Sequence, residues 1–345
     1  LLNSHRAGSI VVMNIINGHI LCLASTPSYN PNSIIKKPNK AYWDSILANE
    51  LSPLTFRSIQ GLYAPGSTFK MIVAIAGLYY GVINTGTNHF CNGKISLGDR
   101  LYHCWKNNGH GNMNVDDAIK ESCDVFFYEV SKKIGIDKIA EVAKDFGLGK
   151  TYDLPLSNQK SGIIPSKKWK KEKLKESWYP GETLISAIGQ GFVLTNPLQL
   201  ANMTSIIASN GKVIKPKIIN DGIIGNNEKL EKYSEAIKIV KKSMFKVVNE
   251  NKGTAYKSRS DEVIFSGKTG TSQVRRITVE ERESEDFRKK EVEWNKRDHA
   301  LFVGYMPHDN PKYSISVVIE HGGSGASSAA PIAKQVFQFI NKINI

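Results

Sequence analysis

Apolar residues alternate with polar or small ones over residues 8–24, from Ser9-Ile10-Val11-Val12-Met13 to His19-Ile20-Leu21-Cys22-Leu23-Ala24, with Asn17-Gly18 between the two runs. A period of two marks strands, and Asn-Gly between two such runs marks a hairpin. Residues 27–38, bounded by Pro27 and Pro38, read as loop. The pattern then lengthens to a helical period, predicting helices over 67–82, 115–134 and 137–147. Two more are predicted over 196–209, opened by Pro197 and closed by Asn210-Gly211, and over 234–250. Residues 150–183 read as a polar, lysine-rich connection. Strands return at 263–265 running into 268–273, at 300–305 and at 314–320, and a last helix covers 330–340. Residues 276–298, dense in Glu, Arg and Lys, read as a long exposed loop between two strands.

Strands at both ends and helices between them imply one α/β sheet domain with an all-α lobe inserted between its strands. The sheet part is expected from residues 1–60 and 255–345, and the mostly helical part from 61–254. At 345 residues the chain is long enough to bury a large core. Its longest apolar stretch, 71–80, is too short to span a bilayer. The first residues, Leu1-Leu2-Asn3, carry neither a methionine nor a signal peptide, so a piece of a longer protein is expected, with any anchoring segment upstream. A net charge of +14 admits nucleic acid, an anionic membrane or an acidic polymer as partner. The basic residues are dispersed and no nucleic-acid motif accompanies them, so the reading is a solvated basic surface without nucleic acid.

Candidate chemistry begins with Ser67-Thr68-Phe69-Lys70. The chain holds five S-x-x-K matches, starting at Ser33, Ser67, Ser157, Ser209 and Ser243, so the pattern alone selects nothing. Context does. Prolines box in Ser33, turn residues flank Ser157 and Ser209, and Ser243 lies on a lysine-rich amphipathic stretch. Ser67 alone follows a Pro65-Gly66 turn and opens an apolar run through Gly77, the mark of a buried helix. Lys70 is one turn on, and a lysine rooted in so apolar a helix is expected to be desolvated toward the neutral amine that can serve as a base. Ser122-Cys123-Asp124 and Lys268-Thr269-Gly270-Thr271 follow downstream. Together the three strings indicate acyl-enzyme chemistry by a serine whose proton carrier is lysine.

In that order and at that separation, Ser67-x-x-Lys70, Ser122-x-Asp124 and Lys268-Thr269-Gly270 resemble the penicillin-recognising serine enzymes, the transpeptidases and serine β-lactamases. Tyr63 to Lys70, Gly189-Gln190-Gly191 with 195–201, and 299–305 are similar to segments of class B penicillin-binding proteins. Asp124 and Gly109-His110-Gly111 point to their elongation-specific branch. The resemblance runs from Gly8 to about Phe339 and implies an antiparallel sheet flanked by helices. It also implies a D,D-transpeptidase acting on peptidoglycan stem peptides, acylated by β-lactams. By the same resemblance the enzyme sits at the periplasmic face of the inner membrane, beside a membrane glycosyltransferase and scaffold proteins of the elongation complex. In this reading Ser67 is the nucleophile, Lys70 the base, and the N–H groups of Ser67 and Thr271 the oxyanion hole. Ser122 relays a proton, Asp124 holds Lys70 or the substrate amide, and Lys268, Thr269 and Thr271 receive the substrate carboxylate. Gly270 leaves room for a ligand backbone to pair with the strand. Sister readings are a D,D-carboxypeptidase or β-lactamase, which send water to the ester, and a β-lactam sensor that does not turn over.

Four cysteines occur. Cys22 alternates within a strand and reads as core. The others form the spacing Cys91-x12-Cys104-x5-His110-x12-Cys123, which could close a structural Zn²⁺ site. A Cys91–Cys104 disulfide or free thiols are the alternatives. No cofactor is required for the acyl-transfer chemistry.

Overall fold

The computed structural model describes residues 1–35, 39–219, 228–275 and 292–343. The 8–24 alternation forms β1 (Gly8–Asn14) and β2 (Ile20–Thr26), paired antiparallel. Three strands from the far end of the chain complete the sheet: β3 (Ser266–Ser272), β4 (His299–Met306) and β5 (Tyr313–Ile319). Their order is β2-β1-β5-β4-β3, antiparallel throughout. The first and last strands of the chain thus meet at the sheet centre, and β3 is left as an edge.

The sheet is covered on both faces, so β4 and β5 are buried along nearly their whole length and alternate little. On β1, Ile10 and Val12 join the main core, while Val11 and Met13 pack with Ile59, Leu154, Leu198 and Ala201. The helices Pro197–Ala208, Ser234–Asn249 and Ala330–Ile343 lie against the sheet. Among the described residues no helix is long and apolar enough to cross a membrane.

The lobe between β2 and β3 departs from expectation. It is not all-helical: His89–Cys91 pairs with Gly111–Met113, and Lys94–Leu97 pairs with Arg100–His103. Strands of three or four residues are too short for alternation to register. The lysine-rich connection contains two helices, Lys167–Leu174 and Pro180–Ala187. The first buries a lysine in place of an apolar residue: Lys170 packs over the Tyr179 ring and pairs with Glu182 at 2.5 Å. The helix predicted over 115–134 is two helices, Val115–Lys120 and Asp124–Ile134. The expected loops at 27–38 and 276–298 fall partly outside the described residues; within them, Asn32–Ile35 and Trp294–Lys296 form single helical turns.

The helix Pro197–Ala208 shows how sequence fixes an element here. Asn196 caps it, accepting from the Gln199 N–H at 2.9 Å, and the Gln199 side chain accepts back from the Asn196 N–H. Pro197 follows at the first helical position, where no N–H is needed. The Asn196 amide also donates to Lys160 O at 2.8 Å and Ile59 O at 3.4 Å, tying the helix to two loops. Asn196→Ala therefore removes a cap and two tethers, while Ile59 O still accepts from the Lys160 N–H at 3.0 Å, and is expected to cost about 1–2 kcal/mol. Urea unfolding checks this: a midpoint unchanged from wild type would mean that the cap and its two tethers contribute nothing.

Candidate active site

The site is built from a sharp turn pressed against the edge strand. Pro65 lacks an N–H and Gly66 takes φ +54°, so the chain enters a 3-10 turn, Gly66–Phe69, before the helix Lys70–Tyr79 begins. Ser67 thus stands on a 3-10 turn and not in an α-helical first turn. Close approach explains the tight winding. A Cβ on Gly66 would lie 2.5 Å from Thr271 O, and one on Gly270 would lie 3.0 Å from both Pro65 O and the Thr68 methyl. The missing side chain of Gly270 therefore accommodates the Ser67 turn, where the sequence suggested room for a ligand. Gly189 O accepts from the Gly66 N–H at 2.9 Å and the Gln190 side chain donates to Thr271 O at 3.1 Å, clamping turn and strand together. Of the five S-x-x-K serines, only Ser67 lines the cleft of about 390 Å³ that opens here.

Lys70 is fully buried. Its ammonium donates to Asp124 Oδ1 at 2.6 Å, Ser122 O at 2.8 Å and Ser122 Oγ at 3.2 Å. Lys268, also fully buried, donates to the same Ser122 Oγ at 2.9 Å and to Thr269 O at 3.1 Å. Burial pushes Lys268 well below the ordinary lysine range; the positive charge of Lys70 adds to this and Asp124 opposes it. Burial raises the Asp124 carboxyl, against the pull of Lys70. The Thr269 hydroxyl is engaged by Thr254 at 2.7 Å. Among the described residues no hydrogen bond joins Ser67 Oγ to Lys70, whose amine points at Asp124 and Ser122. Catalytic contacts of this kind commonly tighten only once a ligand is bound.

Ser122 occupies the break between the two helices at φ +59°, a left-handed conformation unfavourable for a residue with a side chain. Trp105 pins it there. The indole N–H donates to Glu121 O at 3.1 Å and Ser122 O at 3.0 Å, and the Trp105 backbone N–H donates to Asp124 Oδ2 at 2.8 Å. The break aims the Ser122 hydroxyl between the two lysines and sets Asp124 at the start of the second helix. Sequence reasoning missed Trp105, because a lone tryptophan in a hairpin region carries no pattern.

Cys91, Cys104, His110 and Cys123 also converge, with one donor atom of each lying within 4.8 Å of the others. No disulfide joins Cys91 to Cys104 or links any other pair of the four cysteines. His110 Nδ1 lies 3.6 Å from Cys91 Sγ and 3.5 Å from Cys104 Sγ. A tetrahedral zinc with ordinary Zn–S and Zn–N lengths has S···N edges of about 3.6 Å, so the donor set fits that ion. Hydrogen bonding from the Cys123 thiol, helped by His110, lowers Cys91 and Cys104 against the effect of burial, and the same contacts raise Cys123. Cys104 Sγ also accepts from the Asp124 backbone N–H at 3.4 Å, which joins the cluster to the lysine network. Among the described residues His110 Nε2 has no hydrogen-bond partner.

Known proteins are similar in sequence and fold. The penicillin binding protein transpeptidase domain matches residues 8–338. The peptidoglycan D,D-transpeptidase MrdA of Haemophilus influenzae is 34% identical over 98% of this chain and 53% of its own. The chain thus spans about half the length of the curated relatives it matches. PBP2 of Helicobacter pylori, solved in complex with MreC, superposes with a TM-score of 0.88 at 31% identity, over 99% of this chain and 61% of that one. PBP2 of Pseudomonas aeruginosa, solved with WCK 5153, gives 0.85 at 33%, over 98% and 71%. With the three motifs gathered around one cleft on the same five-stranded sheet, the chain belongs to the penicillin-binding protein transpeptidase family.

Proposed function

We propose that this domain is the cross-linking unit of an elongation-specific peptidoglycan D,D-transpeptidase. The observation that carries the reading is the single Ser122 hydroxyl held between Lys70 and Lys268, at 3.2 and 2.9 Å, on the cleft that Ser67 lines. Ser67 Oγ attacks the penultimate carbonyl of a D-alanyl-D-alanine stem peptide, and Lys70, as the neutral amine, takes its proton. The N–H groups of Ser67 and Thr271 receive the oxyanion, worth about 3–4 kcal/mol per donor in comparable sites. The Gly66–Thr271 packing fixes their spacing. As the C–N bond breaks, Ser122 hands a proton to the departing D-alanine nitrogen and is resupplied from Lys70. Asp124 holds Lys70, while Lys268, Thr269 and Thr271 receive the substrate carboxylate, which a β-lactam reproduces. An amine from a neighbouring strand then attacks the ester and releases Ser67.

In the same reading the domain works at the periplasmic face of the inner membrane, held by an anchoring helix outside this chain. Its partners there are a membrane glycosyltransferase and scaffold proteins. The Helicobacter pylori relative's complex with MreC supports a scaffold partner. Cys91, Cys104, His110 and Cys123 would hold a structural Zn²⁺, a metal suited to thiolate and imidazole ligands. The ion would fix the Ser122 break, since Cys123 lies within it; no chemical step uses it.

Penicillin should form one stable adduct, on Ser67, and Ser67→Ala should form none; a chromogenic cephalosporin should stall after a single equivalent. Intact-mass and peptide mapping read this directly, and rapid multiple turnover would convert the reading to a β-lactamase.

Lys268→Met should slow acylation by at least about a hundredfold while raising stability by about 1 kcal/mol or more, because it removes a buried ammonium whose charged form the fold disfavours. A lower urea midpoint for Lys268→Met than for wild type would show that this lysine supports the fold and does not strain it.

Protein prepared without chelator should contain about one zinc per chain by elemental analysis, and Cys123→Ser should lose the metal together with thermal stability. Metal-free protein of undiminished stability would refute the site.

A further inference from the structure

The cleft has two electrically different ends. At one end Lys268 lies buried beside Thr269. At the other, past Thr271, the wall is formed by Gln273, Asp298 and Ser324. Two carboxylates line the cleft among the described residues, Asp124 and Asp298. Asp124 is committed to Lys70 at 2.6 Å. Asp298 is not committed. It is half-buried and makes no ion pair among the described residues, and its Oδ1 accepts one long bond, from the Val274 N–H at 3.4 Å. Burial pushes its carboxyl above the ordinary range, against the Val274 N–H and the more distant Arg275 and His321, so no partner in the described fold compensates its charge. A carboxylate left in that condition on a cleft wall is ready for a cation.

Sheet register says which part of a substrate would meet it. Ser272 pairs with His299, so Asp298 sits just beyond the Ser272 end of the β3–β4 ladder. On the reading proposed above, a donor peptide lies along the free edge of β3 with its terminal carboxylate near Lys268 and its scissile carbonyl near Ser67 and Thr271. Its upstream residues then run toward Gln273, about 3.3 Å per residue. Past Ser272 the strand ends, and the residue preceding D-alanyl-D-alanine would meet the cleft wall that Gln273 and Asp298 share. We infer that Asp298 is a specificity-determining residue that selects donor peptides whose side chain at that position carries an ammonium group.

The inference rests on the transpeptidase reading, and one experiment separates the two. Thioester donors of the form acyl-X-D-alanyl-D-thiolactate would be compared by thiol release, with X as lysine, Nε-acetyl-lysine or glutamate. Wild type should prefer lysine over acetyl-lysine by about tenfold in kcat/KM, the scale of one charge-assisted contact. Asp298→Asn should bring the ratio to about one, and Asp298→Lys should turn the preference toward glutamate. Benzylpenicillin presents no ammonium at that position, so its acylation rate should stay within about twofold of wild type in Asp298→Asn, which also reports that the variant is folded. A wild-type ratio near one overturns the inference, as does a preference that survives Asp298→Asn. Failure of wild type to be acylated by penicillin at all would instead overturn the transpeptidase reading.

Discussion

Two lysine side chains lie buried within reach of one serine hydroxyl, and among the described residues one carboxylate, Asp124, stands beside them to balance the charge they carry. Desolvating each ion costs several kcal/mol before any partner is counted. The surrounding chain is arranged to offset that cost with fixed dipoles. Ser122 turns its carbonyl to Lys70 by accepting a left-handed conformation, and Thr269 turns its carbonyl to Lys268. The helical break, the tryptophan that pins it and the second helix that begins at Asp124 all serve that arrangement. The strain belongs to the site and is carried by the stability of the whole domain.

The cysteine–histidine cluster borders this network directly. Cys123 sits between Ser122 and Asp124 in the chain, and Cys104 Sγ accepts the Asp124 N–H. Trp105 follows Cys104 and lies with its ring 5.4 Å from that of His110. Whatever orders the four donors therefore orders the backbone that presents Ser122 and Asp124. Two short two-stranded ribbons bring Cys91, Cys104 and His110 to Cys123 at the helix break.

The parts legible in the sequence were those encoded by repetition or punctuation. The 8–24 hairpin, the strands at 300–305 and 314–320, and the helix opened by Asn196-Pro197 follow from period and caps. Ser67 was legible because an apolar helix follows a Pro-Gly turn. The chain's side-chain pattern continues smoothly through Glu121–Cys123, so the break there was invisible; it is made by backbone carbonyls and by a tryptophan from another ribbon. Gly270 was legible as special, but the Ser67 turn packed against it was not, since only the folded chain brings the two together. Trp105 and Asp298 carried no local signal at all. Each matters through what the topology sets beside it.

The meeting of Gly66, Gly189 and Gly270 has an evolutionary consequence. The proposed nucleophile, Ser67, and the proposed oxyanion donors are positioned by main chain packed against main chain, with gaps that a single methyl group would overfill. Such a centre cannot be retuned by small steps, because the first step already clashes. Variation in what the cleft admits has to come from its rim, where side chains such as Gln273 face solvent. Drug pressure on this fold should therefore leave the three motifs untouched and write its record in the walls around them.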